Sequence, residues 1–303
     1  MERRQRQRII DLHIHSNCSD GAKSPKELID MAVANGVDTI AIADHDTVAA
    51  YTTELLQYAN DNNINLIKAV EVSTKLKGKV GIHILGYNLD IHNSELLDML
   101  YQSRNSRHIY LVKVAEALNK LGYVVNVEEL DKVDAVTKAH ISLDVISNPA
   151  NEDLLIRNFG HIPSKGEFIE TIMNEGCPAY VLKPSISPQH ASEVIKRAGG
   201  KVVIAHPVAY VHEDGLSIAD IEQLIAEIKP IGLEANYIYA DRYDKIIDEC
   251  ATWREVAKRH NLIATIGSDY HNTDGIRPEL GLVNTDLRLR DREIEDIVRS
   301  LSE

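Results

Sequence analysis

Cysteine is scarce in this chain, three among 303 residues, and the three stand far apart at positions 18, 177 and 250. An odd, scattered set excludes both a disulfide framework and a thiolate zinc site, and Cys18, close to the first histidines, is read as a reduced bystander. Runs of about 18 apolar residues are absent, so nothing reads as a membrane span. Basic charge is short as well. The 33 Lys and Arg against 46 Asp and Glu leave a net charge of −13, which excludes the electrostatic footprint of a general nucleic-acid binder and argues against long nucleic acid as a stable partner. The opening MERRQRQRII carries four arginines but no apolar core of a signal peptide, so a cytoplasmic protein is expected. Internal repeats and low-complexity linkers are also missing.

What is present is an ordinary globular composition, 44% hydrophobic and 26% charged, arranged in an alternating rhythm. Short β-rich runs (RIIDLHIH, VDTIAIAD, INLIKAVEVST) alternate with helical patterns (SPKELIDMAVANG, DTVAAYTTELLQYANDN), which implies crossover units and a parallel sheet. Ser24, Pro25, Glu27 and Gly36 punctuate the first helix as cap, first turn, capping box and stop. GKVGIHILGYN reads as a strand paired back on KAVEVSTKL through a turn at Lys77, Gly78 and Lys79. From about Asn93 a long helix, SELLDMLYQSRNSRHIYLVKVAEALNKLG, begins a mostly helical stretch with almost no strand signal before PAYVL. The expected organisation is a barrel-like α/β domain, residues 9–92 and 180–303, interrupted by a helical insertion over 93–179.

Polar residues gather at the ends of the strand-like runs. His13 and His15 end the first, Asp44, His45 and Asp46 follow TIAIA, and Glu71 and His83 lie in the paired strands. His206 follows KVVIA, Glu234 follows IGL, and Asp269 and His271 follow LIATIGS. Strand ends are where α/β barrels bind ligands. Residues two apart in a strand share a side, so His13 and His15 suit one ion. Imidazoles with carboxylates and no thiolate suit Mn²⁺, Zn²⁺ or Fe²⁺. With Asp20, nine candidates result: His13, His15, Asp20, His45, Glu71, His83, His206, Asp269 and His271, more than one ion needs. Asp44 and Glu234 are read as groups behind the ligands that orient imidazoles, and Asp46 as a helix cap. His92, His108, His161, His190, His212 and His260 lack the strand-end setting and are read as solvated or structural.

Taken in order, DLHIHSNCSDGAKSPKELIDMAVANGVDTIAIADHDTV, VEVST, IHILGY, GGKVVIAHP, GLEANY and GSDYH resemble the successive motifs of the PHP (polymerase and histidinol phosphatase) family. The likeness runs from about residue 9 to the end and is greatest to stand-alone bacterial phosphoesterases that act on nucleotides and short RNA. It implies a distorted (β/α)₇ barrel with an inserted, mostly helical subdomain and three divalent ions, Mn²⁺ first, with Zn²⁺ or Fe²⁺ also compatible. By motif, His13, His15, Glu71 and Asp269 would hold one ion, Asp20, His45 and His271 a second, and Glu71, His83 and His206 a third. The resemblance further implies that Arg104, Arg107 and His140 grip a substrate phosphate, the two arginines lying i, i+3 on one helix face. At His140 the chain departs from its relatives: Thr137, Lys138 and Ala139 stand where a Gly-Arg-Pro run is usual. The implied reaction is attack of a metal-bridging hydroxide on a phosphate ester of a small nucleotide, such as a nucleoside 3',5'-bisphosphate, or at the 5' end of short RNA. A histidinol-phosphate-type phosphatase and a non-catalytic, metal-stabilised module are the alternatives.

Overall fold

The computed structural model describes residues 8–302 apart from 78–79, 134–135, 183, 242, 277 and 284–288. Two compact units emerge, Met1–Tyr101 with Ile186–Glu303, and Gln102–Ser185. In the first, seven strands form one sheet: β1 (Ile10–Ile14), β2 (Thr39–Ile42), β3 (Asn65–Leu76), β4 (Val80–Tyr87), β5 (Lys201–Ile204), β6 (Gly232–Asn236) and β9 (Ile263–Ile266), while β7 (Ile238–Ala240) and β8 (Ile246–Asp248) make a separate ribbon. Neighbours are parallel except β4, which runs against both β3 and β5. The sheet closes on itself where Ile14 bridges Tyr270, with His15 N donating to Tyr270 O and Asp269 N to His13 O, each at 2.8 Å. The result is a nearly closed α/β barrel of the distorted (β/α)₇ kind, with helices around it. Of the expected Lys77–Lys79 turn, Gly78 and Lys79 lie outside the described residues.

Strand alternation explains the two layers of this barrel. Leu12, Ala41, Ala43, Ile67, Ala69, Leu85, Tyr87 and Val203 form one buried cluster that also takes Ile294, Ile297 and Leu301 from the last helix. Intervening residues such as Ile40, Ile42, Val70, Val72, Ile82 and Ile84 pack instead with the outer helices. Those helices are α1 (Pro25–Asn35), α2 (Thr53–Asp61), α3 (Ser94–Arg104), α9 (Pro188–Arg197), α10 (Pro207–Glu213), α11 (Ile218–Ile228) and α12 (Cys250–Arg259), with α13 (Asp291–Ser302) the last. Each Leu or Ile fully buried in this way is worth about 1.5–3 kcal/mol. The Ser24–Glu27 capping box and left-handed Gly36 (φ 72°) begin and end α1 where expected.

The second unit is helical: α4 (Ser106–Lys120), α5 (Val127–Leu130), α6 (Lys138–Ser147), α7 (Glu152–Phe159) and α8 (Lys165–Phe168), the last running on into a π-helical turn at Ile169–Met173. Its core joins Leu111, Val114, Leu118, Ile141, Val145, Leu155 and Phe168. Three sequence expectations fail. The long helix from Ser94 breaks at Asn105, whose ψ of 7° leaves the helical region; Asn and Ser compete locally for backbone partners. PAYVL forms no strand: Pro178 opens it and Pro184 follows two residues after Leu182, and neither has a backbone N–H to donate. And α2 begins at Thr53, capped by Thr52, seven residues after Asp46 was expected to cap it. The division falls inside the former long helix because α3 buries Leu96, Met99 and Leu100 in the barrel unit's core.

Candidate metal centre

The apolar row of each strand turns polar at its end. Glu71 continues the Ile67–Ala69 row, His45 the Ala41–Ala43 row, and His83 precedes Leu85 and Tyr87 on β4, which runs the other way. In β1 the register slips between Asp11 and Ile14, and this irregularity lets His13 and His15, both fully buried, bring their Nε2 atoms to 3.1 Å. His206 and Asp269 sit just past β5 and β9 with φ of 21° and 54°. Such left-handed backbone costs non-glycine residues on the order of 1–3 kcal/mol and persists where the surroundings fix it. Glu234 Oε2 accepts from His206 N at 2.8 Å, and His13 O accepts from Asp269 N.

All nine predicted ligands converge. Glu71, wholly buried, has His83 Nδ1 at 2.9 Å, His206 Nε2 at 3.0 Å, His45 Nδ1 at 3.1 Å, His15 Nε2 at 3.3 Å and His13 Nε2 at 3.4 Å. Asp269 Oδ1 lies 3.1 Å from His15 Nε2 and 3.5 Å from His13 Nε2. Asp20 Oδ2, more exposed, is 3.4 Å from His271 Nε2 and 3.7 Å from His45 Nε2. Among the described residues, three sets bring one donor atom per residue within 4.8 Å of one another: His13, His15, Glu71 and Asp269; His15, Asp20, His45 and His271; and His45, Glu71 and His83.

These contacts fit cations better than a hydrogen-bond network. His15 Nδ1, His45 Nδ1, His83 Nδ1, His206 Nδ1 and Glu71 Oε2 are buried without a hydrogen-bond partner, which a native interior tolerates rarely. His45 Nδ1 and His83 Nδ1 are close to Glu71 without the alignment a hydrogen bond needs. Two of the imidazoles are held from behind. Glu234 takes both oxygens to 3.1 Å from His13 Nδ1, and His271 Nδ1 meets the Asp269 carbonyl at 2.8 Å, so in the neutral rings each Nε2 presents a lone pair. The donor set of imidazoles and carboxylates is one that divalent ions accept.

The electrostatics agree. Burial pushes Glu71 up, but the imidazoles of His45, His83 and His13 pull it well below the usual carboxylate range. For Asp269 burial is likewise overcome by His13 and His15. Burial pulls His271 down, yet its bond to Asp20 and the charge of Asp269 lift it to about 9. Without metal, His271 is therefore protonated at pH 7, and an ion that uses it must displace that proton. Divalent-ion affinity is expected to rise with pH toward about 9, by about tenfold per unit for each proton displaced, with proton release on uptake at pH 7. Calorimetric titration in buffers of different ionisation enthalpy checks this; uptake without proton release between pH 6 and 8 would contradict it.

Other predicted residues lie elsewhere. Asp44 touches no imidazole: it accepts from Ser16 N (2.7 Å), Ser16 Oγ (2.6 Å) and Ser19 Oγ (2.6 Å), ordering the loop that carries Asp20. Asp46 accepts from Ser73 N at 2.9 Å. Arg104 ends α3 and Arg107 lies in α4, both exposed, and the break at Asn105 removes the single helix face assumed for them. His140, exposed, takes the backbone N–H of Thr137 on Nδ1 at 3.3 Å, and Lys138 Nζ donates to Asn174 Oδ1 at 3.0 Å. Cys18 packs half-buried against the outer core. Among the outlying histidines, His108, His161, His212 and His260 pair with surface carboxylates. Sequence reasoning missed three groups. Asp11 is a buried carboxylate two residues before His13, Tyr237 donates to Asp269 Oδ2 at 3.3 Å, and the Tyr210 hydroxyl receives His83 N at 2.8 Å. Both tyrosines line a cavity of about 370 Å³ that opens onto His45, Glu71, His83 and His206.

The chain is similar to known proteins over most of its length. The PHP domain profile matches residues 11–200. A 5'-3' exoribonuclease of Haemophilus influenzae is 30% identical over 264 residues, covering 86% of this chain and 89% of that protein. A 3',5'-nucleoside bisphosphate phosphatase of Chromobacterium violaceum is 28% identical over 268 residues, covering 86% and 87%. A solved structure from Bifidobacterium adolescentis, 24% identical, shares the fold with a TM-score of 0.60 over 97% of this chain and 95% of its own.

Proposed function

The chain belongs to the PHP domain family, and we propose that it is a metal-dependent phosphoesterase acting on small nucleotides, such as a nucleoside 3',5'-bisphosphate, or on the 5' ends of short RNA. One observation carries the reading most: a buried carboxylate, Glu71, has five imidazole nitrogens within 3.4 Å. A single acid so surrounded is suited to bridging ions. His13, His15, Glu71 and Asp269 would hold one, Asp20, His45 and His271 a second, and Glu71, His83 and His206 a third, with Mn²⁺ the first choice. When bound, divalent ions neutralise phosphoryl charge and lower the pKa of water toward 7.

The rest of the chemistry is assigned to the chain's own groups. Glu234 fixes the His13 ring and, through the His206 amide, the start of α10. Tyr237 and Tyr210 wall the cavity beside the ligands, where the organic part of a substrate would exclude water. On the helical unit Arg104, Arg107 and His140 are offered as phosphate contacts, on their exposure and the family resemblance. A panel of nucleoside bisphosphates, 5'-phosphorylated short RNAs and sugar or histidinol phosphates, assayed with Mn²⁺, Zn²⁺ and Mg²⁺, tests the proposal. Nucleotide esters are expected to be hydrolysed, the activity to vanish with a chelator and to return with Mn²⁺. Activity confined to histidinol phosphate, or unaffected by chelation, would overturn it.

A further inference from the structure

Asp11 holds both ends of the loop that carries two of the proposed ligands. Its side chain is fully buried in β1, facing the seam where the barrel closes. Oδ1 accepts from Ser268 N at 2.9 Å and, more weakly, from His13 N at 3.4 Å. Oδ2 accepts from Ser268 Oγ at 2.6 Å and from Gly281 N at 2.8 Å. Ser268 immediately precedes Asp269, and Gly281 lies ten residues beyond His271, so one carboxylate ties the base of the segment that bears both.

Close packing constrains the Gly281 end as well. Gly281 has φ of 80°, and a Cβ there would stand 2.3 Å from Val37 Cγ2, so the chain passes where only glycine fits. All four partners of Asp11 are donors, and only a carboxylate accepts on both oxygens at once. Asparagine has one acceptor oxygen. Whichever way its amide turns, it sets an NH₂ against either the Ser268 amide or the Gly281 amide.

We propose that Asp11 is a positioning residue for the metal centre: by clamping Ser268 and Gly281 it sets Asp269 and His271 against His13 and His15. The inference rests on the reading of Asp269 and His271 as ligands. Loss of the clamp weakens the ions that draw on them and spares the ion on Glu71, His83 and His206, whose strands Asp11 does not touch. Groups that orient ligands from behind typically change metal affinity by about 10–100-fold.

The test is Mn²⁺ titration of the full chain, stripped by chelation, following free Mn²⁺ by electron paramagnetic resonance, for wild type, Asp11→Asn and Ser268→Ala. In Asp11→Asn at least one binding step is expected to weaken by about 10–100-fold while another stays within about twofold. A lower melting temperature with every step unchanged would overturn the proposal, as would equal weakening of all steps, since both describe a role in the fold alone. Should Asp11→Asn not fold, Ser268→Ala keeps the carboxylate and the Gly281 bond, and about a threefold to tenfold loss in the same step is expected; an unchanged titration overturns the proposal. Wild type that takes up no divalent ion sinks the metal reading itself and this inference with it, whereas wild-type uptake with indifferent variants sinks the inference alone.

Discussion

Glu71→Gln is expected to lower Mn²⁺-dependent turnover of nucleotide esters at least about a thousand-fold, which corresponds to about 4 kcal/mol of transition-state stabilisation. The substitution keeps the shape and removes the charge on which five imidazoles converge. An amide offers one neutral oxygen and two donors, and those donors face nitrogens whose lone pairs are needed for ions. No neighbouring donor offsets the change, because Oε2 is buried and already lacks a hydrogen-bond partner. In the metal-free state the effect reverses in sense. Burial pulls His83 and His13 down while Glu71 helps to lift both, so without its charge they lose a reason to stay protonated. The variant is therefore expected to bind ions far more weakly while releasing fewer protons per ion. Steady-state assays across Mn²⁺ concentrations, with far-UV circular dichroism as a check on folding, measure this; turnover within tenfold of wild type would contradict the bridging role.

How much of this was legible in the sequence depends on whether a residue's task is local. His13, His15, His45, Glu71, His83, His206, Asp269 and His271 could be picked out because alternation and strand ends are properties of short segments, and an imidazole where a valine is expected is visible at once. The barrel followed from the same local rhythm, and the PHP motifs added their order along the chain. Asp11 escaped because its partners, Ser268 and Gly281, lie 257 and 270 residues away, and a single acid near the start of a strand carries no signal of its own. Asp44 was misread for a related reason. Proximity to His45 in the chain suggested an imidazole partner, yet its bonds go to Ser16 and Ser19 on the neighbouring strand's loop. The break at Asn105 is a close contest between helix continuation and local side-chain competition, which periodicity alone does not decide.

Gly267→Ala tests a close steric demand of the centre. Gly267 sits between β9 and Ser268, and a Cβ built on it would lie 2.3 Å from Glu234 Oε1 and 2.3 Å from His13 Cβ. Neither neighbour has room to retreat. Glu234 is buried, with both oxygens against His13 Nδ1 and one also on the His206 amide, and His13 is pinned in β1 by the carbonyl bond to Asp269 N. A methyl group in that space must push β1 from β9 or swing Glu234 off the imidazole it orients. Overpacking of this kind costs about 1–3 kcal/mol or somewhat more, so a fall in melting temperature on the order of 5–10 °C is expected. Activity suffers more than stability, because displacing a ligand by about 1 Å typically costs about a hundredfold in rate. Added Mn²⁺ is expected to restore little of it, since the defect is in geometry and saturation does not move a side chain back. Gly81→Ala is the control: Gly81, on β4, lines the cavity beside Glu71 and His83, and its Cβ would meet nothing within 4 Å, so stability is expected to stay within about 0.5 kcal/mol of wild type. A Gly267→Ala protein that melts and turns over like the wild type would mean that His13 and Glu234 yield freely, and the support that Glu234 gives the first histidine would have to be abandoned.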